Sequence, residues 1–128
     1  MTGDSIQFYG VGRYGCQVYA GLDPYYESIA KLKAMISNGT IENIIISHDY
    51  VPVKSFSFGK ENSLTYMDTA KSCIDEIKDY TIEQYENGVT SASQIQSSFI
   101  AFKKSTYPNF PTASLDIVIG KIINTYCK

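Results

Sequence analysis

The sequence predicts an α/β (α+β) chain, with a small αβ portion over residues 1–58 and a mainly helical stretch over residues 59–128. Three observations carry that expectation. An apolar run, Ile41-Glu42-Asn43-Ile44-Ile45-Ile46, stops at Ser47-His48-Asp49, where the only histidine of the chain stands. A buried strand has this length, and α/β sheets keep their sites at the carboxyl ends of strands. An amphipathic helical segment ends directly before that run, and apolar residues at helical spacing fill most of the sequence beyond residue 60.

Taken in order, Ile6 and Phe8 alternate with polar neighbours in Ser5-Ile6-Gln7-Phe8-Tyr9, which suggests a short extended segment. Gly10, Gly12, Gly15 and Gly21 then punctuate a loop. Asp23-Pro24 reads as a helix start, Asp23 capping the first amides and Pro24 sitting where its missing N–H costs nothing. Tyr25, Ile29, Leu32 and Ile36 follow at spacings of four, three and four, with Tyr26, Lys31 and Lys33 elsewhere on the wheel, and Asn38-Gly39 closes the helix. Only Thr40 separates that stop from the expected strand. Val51-Pro52-Val53 and Phe56-Ser57-Phe58-Gly59 read as extended. A long surface helix is expected from Thr65 to about Gln84, carrying Met67, Ala70, Ile74 and Ile77 on one side, and Asn87-Gly88 ends it. Thr90-Ser91-Ala92-Ser93 offers caps for a helix burying Ile95, Phe99, Ile100 and Phe102. Pro108 and Pro111 bracket a turn, and Thr112 or Ser114 starts a last helix with Leu115, Val118, Ile119, Ile122 and Ile123.

Composition excludes several classes. A formal charge of -2 and a pI near 5.3 leave no basic footprint for nucleic acid. No segment reaches the roughly 18 uninterrupted apolar residues of a membrane span. Met1-Thr2-Gly3-Asp4 has neither a basic nor an apolar region of the secretory kind. Cys16, Cys73 and Cys127 are widely spaced and odd in number, which argues against a disulfide framework and for a reducing, cytoplasmic setting. Tyrosine is frequent, 11 residues against 6 phenylalanines, and is expected at the rim of the core with its hydroxyls in water.

The motifs narrow the chemistry further. Gly10-Val11-Gly12-Arg13-Tyr14-Gly15 matches the dinucleotide fingerprint by letter, but Gly21 and Pro24 follow too soon for the long helix that must receive a pyrophosphate. It reads as a plain loop. Nothing in the sequence places a cysteine beside His48, so no nucleophilic pair can be built. His48 at a strand end and Asp4 after Thr2-Gly3 offer the imidazole and carboxylate that zinc, iron or manganese accept.

The ordered succession Thr2-Gly3-Asp4, glycine-rich loop, Asp23-Pro24-Tyr25-Tyr26-Glu27-Ser28-Ile29-Ala30-Lys31-Leu32-Lys33 and Ile44-Ile45-Ile46-Ser47-His48-Asp49 resembles the C-terminal half of a metallo-β-lactamase-fold hydrolase over roughly residues 2–53. The resemblance implies the C-terminal βα half of an αββα sandwich, with residues 1–128 as a single partial domain and the helical part as an extension. It implies that Asp4 is the bridging metal ligand and His48 the last histidine ligand of a zinc or other divalent site. Ser47 replaces the family's usual glycine. Arg13 and Tyr14 in the Gly10–Gly21 loop become candidate substrate contacts. The family's H-x-H-x-D-H motif is missing, and one histidine cannot supply it. The resemblance therefore implies a fragment or truncated hydrolase with no catalytic residue of its own, weak metal binding and no turnover. It also implies an open sheet face, covered by the chain's own helices, by a homodimer or by an N-terminal partner half. The alternative is a non-catalytic helical interaction or dimerisation module.

Overall fold

The computed structural model describes residues 22–44, 59–110 and 115–127. Among the described residues the protein is all-helical. Helix α1 spans Leu22–Ser37, α2 Lys60–Glu86, α3 Ala92–Lys104 and α4 Leu115–Ile122, and α4 runs on into a π-helical segment, Ile123–Cys127.

This corrects the α/β expectation, and with it the resemblance to the metallo-β-lactamase family. No strand occurs among the described residues; Ile41–Asn43 take no regular structure and Ile44 forms only an isolated bridge. The start of the apolar run is used differently from a strand. Ile44 is buried in the same core as the helices. The Asn43 side chain accepts from the Gly59 amide at 2.8 Å, and the Ser63 hydroxyl donates to the Glu42 carbonyl at 3.3 Å. The segment is thus pinned to the start of α2 by side chains rather than by a sheet ladder. A four-layer αββα sandwich has no counterpart in this arrangement.

Local sequence explains the helix limits. Leu22, Tyr25, Ile29 and Ile36 form the buried stripe of α1, and the chain leaves the helix through Gly39, whose φ of 85° suits glycine. The α2 helix begins earlier than its apolar spacing indicates, at Lys60 after Gly59, and ends at Asn87 and Gly88, with the Asn87 amide donating to the Glu83 carbonyl. The Ser91 side chain caps α3, accepting from the Gln94 amide at 3.5 Å. A side chain from a neighbouring helix serves the first turn of α4: Gln96 Oε1 accepts from the Asp116 amide at 2.6 Å.

The α2 helix is the spine. It packs against α1, α3, α4 and the π-helical segment, while α3 and α4 also pack on each other. Met67, Ala70, Ile74 and Ile77 of α2 meet Ile95 and Phe99 of α3, Phe110, and Leu115, Val118, Ile119 and Ile122 of α4 in one core. Large side chains buried in this way stabilise by about 1.5–3 kcal/mol each. Aromatic edges knit the α2–α3 contact, with Tyr80 against Phe99 at 5.2 Å between centroids and Phe99 against Phe110 at 6.0 Å. Phe102, expected inside with Phe99, is instead 58% exposed. The buried stripe of α3 is only wide enough for Ile95 and Phe99, with Ile100 at its border.

Candidate functional site

Asp4, Arg13, Tyr14 and His48 lie outside the described residues, so the structure does not bring the expected metal pair or the expected substrate contacts together for description. Among the described residues no group of three or more His, Cys, Asp and Glu side chains is placed to hold a metal ion. The zinc site drawn from the family resemblance loses the fold that would have carried it.

A different polar cluster is present, at the seam of α1, α2 and the π-helical segment. Tyr26 of α1 donates its hydroxyl to Asp75 Oδ1 of α2 at 2.6 Å. Lys71, one turn before Asp75, donates to its other oxygen at 2.8 Å. The Lys71 and Lys78 ammonium groups each stand 5.6 Å from the centre of the Tyr26 ring. Lys78 also lies 4.5 Å over the ring of Tyr126, so one cation is shared by two aromatic faces. Tyr126 completes the chain of contacts by donating to Asp23 Oδ1 at 2.5 Å. Lys71, Asp75 and Lys78 recur on one face of α2 by helical spacing, and Asp23 and Tyr26 do the same on α1.

Electrostatics set what this cluster can do. Burial, reinforced by the Asp75 carboxylate, holds the Tyr26 phenol well above its ordinary value of 10.0. Burial and Asp23 push Tyr126 up to about 12. Burial and Glu86 raise the Cys127 thiol. Burial alone would raise Asp75 as well, but hydrogen bonds from Lys71 and Tyr26 outweigh it and hold that carboxyl below the usual carboxylate range. The phenols and thiol therefore stay protonated at neutral pH, whereas an activated nucleophile needs a lowered value or an adjacent base. Asp75, with both oxygens accepting, is a clamp rather than a proton acceptor.

No family model, curated protein or solved structure matches the chain.

Elsewhere, α2 and α3 are joined by Tyr80, which donates to Ser98 Oγ at 2.8 Å. Lys103 also joins them, its ammonium lying 3.0 and 3.1 Å from the two Glu76 carboxylate oxygens. The Lys103 side chain is only 12% exposed. It also faces the rings of Phe102 and Tyr107 at 5.9 and 5.2 Å. Sequence reasoning missed these residues because their partners are distant in the chain. The signals available were the abundance of tyrosine and the alternating charges Lys71, Asp75 and Lys78. Among the described residues no helix is long and apolar enough to cross a membrane.

Proposed function

We propose that this chain is a non-catalytic helical interaction module acting in the cytoplasm. The carrying observation is the Tyr26–Asp75–Lys71 and Tyr126–Asp23 cluster. Its donors and acceptors are spent on one another, and its phenols are biased toward the protonated form. Such a cluster fixes the relative placement of three elements and presents no activated group to a substrate. The widely spaced, odd cysteines suit a reducing compartment. One histidine in the whole sequence suits weak rather than tight binding of zinc or another divalent ion. Both pairing with a second copy and docking of another chain fall within this reading.

The test is turnover of p-nitrophenyl acetate and p-nitrophenyl phosphate by the chain and by its Tyr26→Phe and Tyr126→Phe variants. The expected result is the buffer rate for all three proteins. A wild-type rate above buffer that disappears in either variant would make the cluster an active site and overturn the proposal.

A further inference from the structure

Going beyond the interaction-module reading and independent of it, we propose that Asn38 is a self-modifying residue, converted to aspartate and isoaspartate by attack of the Gly39 amide nitrogen on its side chain. Asn-Gly is the pair in which this attack is least hindered, because glycine has no side chain to keep its nitrogen away from the neighbouring carboxamide. The chain holds two such pairs, Asn38-Gly39 and Asn87-Gly88. Both close a helix, both glycines stand at positive φ, 85° and 93°, and all four residues are exposed. Residue identity does not separate the two pairs; hydrogen bonding does.

At the first pair the side chain folds forward into an Asx turn. Its Oδ1 accepts from the Thr40 amide at 3.0 Å and from the Thr40 hydroxyl at 2.6 Å. Two donors on one carboxamide oxygen polarise Cγ and stand where negative charge collects once a nucleophile adds, the arrangement of an oxyanion hole. At the second pair the equivalent residue is Val89, which has no hydroxyl, and its amide is taken by the Gln84 carbonyl at 2.9 Å. Neither donor of the first turn has a counterpart there. The attacking Gly39 amide donates to the Ile36 carbonyl at 3.2 Å, a bond of the last helical turn, where helices fray. The bonds from Thr40 to Asn38 are local to the turn and do not depend on that helical bond.

The reaction needs only water. Gly39 N loses its proton to water and bonds to Asn38 Cγ, the Cγ–Nδ2 bond breaks, and Nδ2 takes up a proton and leaves as ammonia. Water then opens the cyclic imide at either carbonyl, giving aspartate or isoaspartate, so that one water is consumed and one ammonia released. The product carries a negative charge at the C-terminal end of α1, the unfavourable end of the helix dipole. In its iso form it also adds a methylene to the main chain just before Glu42 and Asn43, the residues tied to the start of α2. Asn38 is thereby a covalent mark of the molecule's age at the joint between α1 and α2.

The experiment ages the purified whole chain at mildly alkaline pH, native and in urea, and follows both asparagines by peptide mass spectrometry, with isoaspartate identified by isoaspartyl methyltransferase labelling. In the native chain Asn38 is expected to convert several times faster than Asn87. Thr40→Val should slow Asn38 about fivefold, the effect of losing one hydrogen bond to the reacting oxygen, and leave Asn87 unchanged, whereas Thr40→Ser should keep the rate. In urea, where the turn is absent, the two sites should react alike. Circular dichroism melts identify variants that still fold, which the exposed position of Thr40 favours. The proposal is overturned if Asn38 does not convert, if Asn87 keeps pace with it in the native chain, if Thr40→Val leaves the Asn38 rate unchanged, if Thr40→Ser is as slow as Thr40→Val, or if the same preference persists in urea.

Discussion

The two sides of α2 are held by different physics. Toward the core, Met67, Ile74 and Ile77 of α2 are buried in one cluster with Phe99 of α3 and Leu115 and Ile119 of α4. Toward α1 and the π-helical segment, that apolar contact is bordered by hydrogen bonds and ring-bound cations at Tyr26, Asp75, Lys78 and Tyr126. Apolar burial is strong and nearly indifferent to direction, whereas the polar seam contributes less and is strict about geometry. The first side supplies most of the stability. The second decides where α1 and the C-terminal turn sit.

Three experiments sharpen that contrast. The largest effect is expected from Phe99→Ala, which empties the site between Tyr80 and Phe110. Urea unfolding should show a loss of about 3–5 kcal/mol, and a loss below that of an ordinary surface substitution would mean that the apolar side is not dominant. An intermediate effect of opposite sign is expected at Thr81. This residue is buried in α2 and its hydroxyl has no hydrogen-bond partner among the described residues; a buried hydroxyl left unpaired costs about 1–3 kcal/mol. Thr81→Val should therefore stabilise by about 1 kcal/mol, seen as a higher midpoint of thermal or urea unfolding.

The smallest effect concerns alkaline pH. Tyr126 in the folded chain ionises at about 12 against an ordinary 10.0. The unfolded chain thus releases its proton first, and the contribution of this group is whole below pH 10 and lost as pH rises toward 12. Unfolding midpoints measured on either side of pH 10 should fall for the wild type and fall less for Tyr126→Phe. Equal slopes would mean that the bond to Asp23 does not persist in solution.

Much of the helical architecture was legible because it rests on local chemistry. Apolar spacing marked α1 and the body of α2, Asn87-Gly88 marked the stop, and Ser91 fell among the expected caps. The fold class was misread at one place. A short apolar run cannot be told from other buried segments by periodicity alone, and over its described part, Ile41–Ile44, the chain is tied to the start of α2 by Asn43 accepting from the Gly59 amide and by Ser63 donating to the Glu42 carbonyl. The family resemblance leaned on that same run and fell with it. Spacing also placed Phe102 on the inner face, since it follows Phe99 by one turn, but how wide a stripe becomes buried depends on the neighbours. Tyrosine abundance and the charges of α2 hinted at a polar cluster, but its pairings were not legible. Tyr26 meets Asp75 across 49 positions and Tyr126 meets Asp23 across 103, and no local rule reaches that far.

The last of those contacts orders the assembly of the molecule in time. Bringing Tyr126 to Asp23 closes nearly the whole length of the chain, and such a closure is entropically unfavourable until the intervening segments are compact. The α2–α3–α4 unit, whose members all touch one another, can form without it. α1, by contrast, is braced chiefly by α2 and by this clasp, so it should dock late, open early, and lose its amide protection to hydrogen exchange ahead of the rest.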